Sequence, residues 1–116
     1  MSDVSDVLNV GLTPDGEAIL DRLGRTEWFP SREAAAKFCL AHAVRAGVSA
    51  GDADGASKGW ASERFDEDGK IRQLLAALYP DCQTPVRLMR HLVNEGALLL
   101  KPRLERTDLT PPDLFR

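Results

Sequence analysis

The tightest constraint on this fold is a strand with no evident partner. Residues 7–12, VLNVGL, follow the two-residue period of a strand: Leu8, Val10 and Leu12 fall on one side, Val7, Asn9 and Gly11 on the other. A lone strand of this length is not stable, because its backbone donors and acceptors need a neighbour. The chain offers few other strand candidates. The plainest expectation is pairing with the same segment of a second copy, and a homo-oligomer follows from it.

Helical signals dominate the rest. Thr13-Pro14 starts a first helix, since threonine caps free amides and proline is preset for the first helical position. Asp15 and Glu17 stand where the helix dipole favours acids, and Ile19, Leu20 and Leu23 supply the buried stripe. This helix ends near Gly24 or Arg25, and TEWFP is a turn whose two rings close over one end of the core. Ser31 caps the second helix, REAAAKFCLAHAVRAG, which Gly47 stops. Ala35, Phe38, Cys39 and His42 share one face; Ala36, Leu40, Ala43 and Val44 widen the apolar surface past half the circumference. A helix so nearly apolar all round is central, either in a monomer core or between two copies.

Residues 49–67 combine glycines, small residues and acids and read as a loop anchored by Trp60 and Phe65. A third helix opens at Asp68 and stops before Pro80, with Ile71, Leu74, Leu75 and Leu78 inward. Thr84-Pro85 repeats the earlier start for a fourth helix, VRLMRHLVNE. Its inner stripe is Leu88, Met89, Leu92 and Val93; its outer stripe is Arg87, Arg90, His91 and Asn94. Gly96 either ends this helix or lets the backbone turn into ALLL. Residues 1–105 therefore read as one helical domain, with additional helices over 68–100, and 106–116 as a flexible tail.

A chain of 116 residues buries enough surface to fold without a metal or disulfide staple. It has no apolar run of about eighteen residues, so no membrane helix is expected. MSDVSDVLN lacks the layout of an export signal, and Cys39 and Cys82 have no paired spacing. The expected location is cytoplasmic, with both thiols free. The formal net charge is −3, whereas nucleic-acid binders are usually basic because phosphates supply most of their affinity. Residues 81–116 nevertheless carry six basic side chains against five acidic ones, so a DNA-binding face has to come from placement or from symmetry.

The order of strand, helix, turn and helix over residues 7–47, VLNVGLTPDGEAILDRL…FPSREAAAKFCLAHAVRAG, resembles the Arc/CopG-like ribbon-helix-helix proteins. That resemblance implies a mainly α fold: a ribbon-helix-helix-like half (7–47), a loop (49–67) and two further helices. It also implies a dimer that reads DNA from its paired ribbon, with Asn9 as base reader, Ser5 extending the groove-facing set, and Ser31 and Arg32 as a phosphate clamp. Free amides at a helix start support the clamp on general grounds. A looser resemblance, through the FCLAHAV helix, the Gly/Asp loop and the late HLVNEG helix, is to the DndE family of bacterial DNA phosphorothioation systems. It implies a tetramer that associates with nicked DNA through basic surface groups, here Arg87, Arg90, His91, Lys101 and Arg103, alongside the protein partners of a multi-component modification or defence system.

Other chemistry finds little footing. The chain has no Gly-rich phosphate loop, nucleophile elbow or HExxH, so no catalytic residues and no enzyme activity are expected. Cys39, His42, Cys82 and His91 would suffice in kind for zinc. However, Cys39 sits in an apolar stripe, where a thiol behaves as a small hydrophobe, so no metal or cofactor is expected. The competing functional reading is a protein-interaction or scaffold subunit that docks a partner through 49–67 or LTPPDLF without touching nucleic acid.

Overall fold

A computed structural model of the chain describes residues 6–53, 56 and 59–105. Ser5 and the tail expected over 106–116 lie outside the described residues.

The first two helices form where local chemistry places them. β1 (Asn9–Gly11) leads into α1 (Pro14–Arg25), whose N-terminus is capped by Thr13 Oγ1 accepting from Gly16 N at 3.0 Å. Ile19, Leu20 and Leu23 are buried along one stripe. α2 (Arg32–Arg45) is capped by Ser31 Oγ, which accepts from Ala34 N at 3.1 Å. It closes where Gly47 adopts φ 77°, a left-handed conformation that glycine takes without strain. Ala35, Ala36, Cys39, Leu40 and Ala43 are all buried, which makes α2 the central helix.

The segment expected to be loop holds two elements, β2 (Gly59–Ala61) and the short α3 (Ser62–Phe65). β2 supplies the missing strand partner. β1 and β2 pair antiparallel, with Asn9 opposite Ala61, Val10 opposite Trp60 and Gly11 opposite Gly59. The ribbon is thus completed within one chain, and the expected self-pairing of residues 7–12 is corrected. Gly59 permits the approach, because a Cβ there would overlap the Val10 carbonyl. Val10 and Leu12 face the core as expected. Leu8 instead stands 81% exposed, because the chain bends there before β1 begins and its carbonyl accepts from Ser62 N.

α4 (Lys70–Leu78) starts two residues later than expected. The buried Asp66 carboxylate accepts from Ile71 N at 2.9 Å and Arg72 N at 3.0 Å and pairs with the Arg72 guanidinium, while Asp68 Oδ1 accepts from Lys70 N at 3.1 Å, so two acids share the cap. Of the four side chains expected inward, Leu75 is buried and Ile71 half-buried, while Leu74 and Leu78 are each 49% exposed. This short helix covers only one edge of its neighbour.

That neighbour, α5 (Pro85–Leu104), is the spine of the molecule. Its twenty residues extend about 30 Å. Gly96 does not end it: the helix runs on to Leu104, and Gly96 lies against the Cys39 carbonyl of α2, where a Cβ would collide. The N-terminus of α5 is also capped from elsewhere. Thr84 makes no side-chain cap; instead the Asp6 carboxylate accepts from Val86 N at 2.8 Å and Arg87 N at 2.9 Å. No described helix is long and apolar enough to cross a membrane.

Candidate nucleic-acid interface

The residues expected to meet DNA occupy four separate places. Asn9 is exposed on β1 opposite Ala61. Ser31 and Arg32 sit at the start of α2, where Arg32 lines a shallow depression with Leu12, Gly59 and Trp60 of the ribbon. Arg32 is engaged there by acids of α1, Glu17 at 3.6 Å and Asp21 at 3.2 Å. Exposed pairs of this kind contribute about 0–1 kcal/mol, so they fasten α2 to α1 lightly.

Lys101 and Arg103 lie at the far end of α5, and the helical period separates them. Lys101 is exposed, in line with Arg87, Arg90 and His91; Arg103 turns to the other side of the helix. Burial, reinforced by the charges of Arg103 and Arg45, holds the His42 imidazole below its ordinary value. His42 stacks on Phe38, which in turn meets Phe29. Burial pushes the Cys39 thiol up to about 12 against a smaller opposing backbone hydrogen bond, so it stays protonated and inert. Among the described residues no group of three or more His, Cys, Asp or Glu side chains is gathered to hold a metal.

The fourth place is the most developed. Arg87 and Arg90, on successive turns near the start of α5, converge on the Asp52 carboxylate. Arg90 Nη2 donates to Asp52 Oδ1 at 2.5 Å, and Arg87 Nε stands 3.6 Å from Oδ2. His91 completes the cluster, with Nε2 3.0 Å from the Ser49 carbonyl, a geometry that puts the proton on Nε2. Gly51 lies so close to this ring that a Cβ would sit 2.8 Å from Cε1. Burial works to raise the Asp52 carboxyl, but the Arg90 hydrogen bond, the Ala53 amide and both arginine charges outweigh it and hold it below the ordinary range. The arrangement is a fork of two guanidiniums around one two-oxygen anion, Arg90 hydrogen-bonded to it and Arg87 in ion-pair range, and carboxylate and phosphate are the oxyanions that arginine recognises.

The fourth member of the supposed outer stripe has a different role. Asn94 is only 2% exposed. Its Oδ1 accepts from Thr13 N at 2.8 Å and from Thr13 Oγ1 at 3.1 Å, and its Nδ2 donates to Gly11 O at 3.0 Å and Arg90 O at 2.7 Å. One amide thus ties the end of β1, the cap of α1 and the middle of α5, fixing the turn that presents Arg90. Asp52, Asp6 and Asn94 are the site builders that sequence reasoning missed. The first two are surface-type acids far away in the chain, and a helical period does not say which polar stripe another segment will cover.

Beside the arginine fork, Ala50, Gly51, Tyr79, Asp81 and Cys82 line an open groove of about 650 Å³. Tyr79 Oη donates to the Val48 carbonyl at 2.6 Å, joining the end of α4 to the segment that carries Asp52. No family model matches the chain, and no curated protein or solved structure matches it.

Proposed function

We propose that the protein associates with DNA by gripping the sugar–phosphate backbone, with Arg87, Arg90 and His91 as the contact centre and Lys101 further along the same line of α5. The observation that carries this reading is the convergence of two arginines on a single oxyanion, since such a fork fits a phosphodiester as well as a carboxylate. Backbone contact is favoured over base reading. Among the described residues Asn9 is the one polar side chain that β1 exposes, and good base discrimination needs several paired hydrogen bonds. Binding is then weak, tolerant of sequence and strongly dependent on salt, in keeping with the net charge of −3. The resemblance to DndE points the same way, towards an oligomeric subunit of a DNA-modification or defence system.

Mobility-shift titrations with intact, nicked and single-stranded DNA at about 50 mM and 150 mM salt test the reading. Binding at the lower salt, weakened by Arg90→Gln, is expected; no binding to any of the three sinks it.

A second reading, a protein-interaction subunit, rests on Leu74 and Leu78. They are each 49% exposed and one turn apart on α4, and Leu78 continues into the Tyr79 groove. If that face docks a protein, Leu74→Ser with Leu78→Ser abolishes a complex while leaving DNA titrations unchanged.

A further inference from the structure

We infer that Asp52 is a built-in stand-in for a DNA phosphate, so that the arginine fork is self-occupied and opens only when a phosphodiester displaces this carboxylate. The inference rests on the backbone-binding reading above and concerns how that site is regulated.

Three observations converge on it. Asp52 engages the fork with both oxygens, one towards each arginine, as a bridging phosphodiester would with its two free oxygens. The Asp52 side chain is 38% exposed, so a ligand reaches the fork from solvent and the carboxylate has somewhere to go. Arg90 is more enclosed than the acid it holds, at 17% against 38%, while Arg87 matches that acid at 36%, so Arg90 is the fixed part of the receptor and the anion the replaceable one. Arg90 in particular is set by the Asn94 hydrogen bond to its carbonyl.

The exchange is nearly neutral in charge, since one singly charged oxyanion leaves and another arrives. It therefore lowers affinity without destroying the receptor. Removing the carboxylate while keeping its shape should therefore raise affinity, and by much more than neutralising a distant acid does. Asp52→Asn retains the Oδ1 acceptor of the Ala53 amide, and so the local turn.

The test compares binding of a short intact duplex at fixed salt by the full-length wild type, Asp52→Asn, Arg90→Gln, the double variant, and Glu63→Gln. The last removes one exposed acid far from the fork in sequence. Asp52→Asn is expected to bind about tenfold more tightly, Glu63→Gln less than about twofold. The salt dependence of Asp52→Asn should steepen by up to about 0.9 in log–log slope, one further phosphate neutralised. The gain should vanish in the double variant. If wild type binds and Arg90→Gln weakens it, but Asp52→Asn is no better than Glu63→Gln, the self-occupied fork is overturned and the backbone reading stands. If no variant binds, both fall. Thermal unfolding of each variant separates lost binding from lost fold.

Discussion

Replacing Asn94 with alanine isolates the joint on which the arrangement of β1, α1 and α5 depends. The asparagine is 2% exposed and spends both ends of its amide on other segments, accepting from the Thr13 amide and hydroxyl and donating to Gly11 O. Alanine leaves the Thr13 amide and the Gly11 carbonyl without these partners, at about 1–3 kcal/mol each, while the Thr13 hydroxyl can turn elsewhere. The expected loss is about 2–6 kcal/mol, a fall in Tm of about 8 °C or more for a domain of this size. Urea titration followed by far-UV circular dichroism measures it. Asn94→Asp sharpens the test: one oxygen still serves Thr13, but the other now faces the Gly11 and Arg90 carbonyls. That variant should be at least as unstable at neutral pH and should recover on acidification, when the carboxyl protonates and can donate to one carbonyl. A loss below about 1 kcal/mol in both variants would refute the idea that this amide holds the three segments together.

Three more outcomes are expected. Gly96→Ala should destabilise by more than about 2 kcal/mol in thermal melts, although alanine normally stabilises a helix by about 1 kcal/mol, because its Cβ meets the Cys39 carbonyl and forces α2 and α5 apart. A thiol reagent on the folded protein should modify the half-exposed Cys82 quickly and Cys39 only on unfolding, since Cys39 is buried with its pKa near 12. The Asp52 carboxyl is held below its ordinary 3.8 in the folded state, so its small stabilisation is present above pH 3.8 and lost as pH falls through the lower folded value. The stability difference between wild type and Asp52→Asn in urea melts should therefore shrink below that pH.

Much of the fold was legible because its signals are local. Thr13-Pro14, Ser31 and Gly47 act on neighbours three or four residues away, and the buried stripes of α1 and α2 follow the helical period. What stayed hidden depends on contacts between distant segments. Three residues, Gly59–Ala61, carry no strand pattern of their own and become β2 only by pairing with β1. Gly96 reads as a stop until α2 is seen to press on it, and the Asp6 cap of α5 joins residues 80 apart. At the site, the grouping of Arg87, Arg90 and His91 was readable from spacing. Their shared acid was not, because Asp52 sits in a segment whose composition says only loop.

The sharpest trial of the phosphate fork is the slope of log K against log salt for duplex binding by wild type and by Arg87→Gln with Arg90→Gln. If the fork takes backbone phosphate, the double substitution should flatten the slope by about 0.9 or more and lower affinity on every sequence alike. Parallel lines of equal affinity would place DNA binding elsewhere on the molecule, and no measurable binding by wild type would remove it altogether.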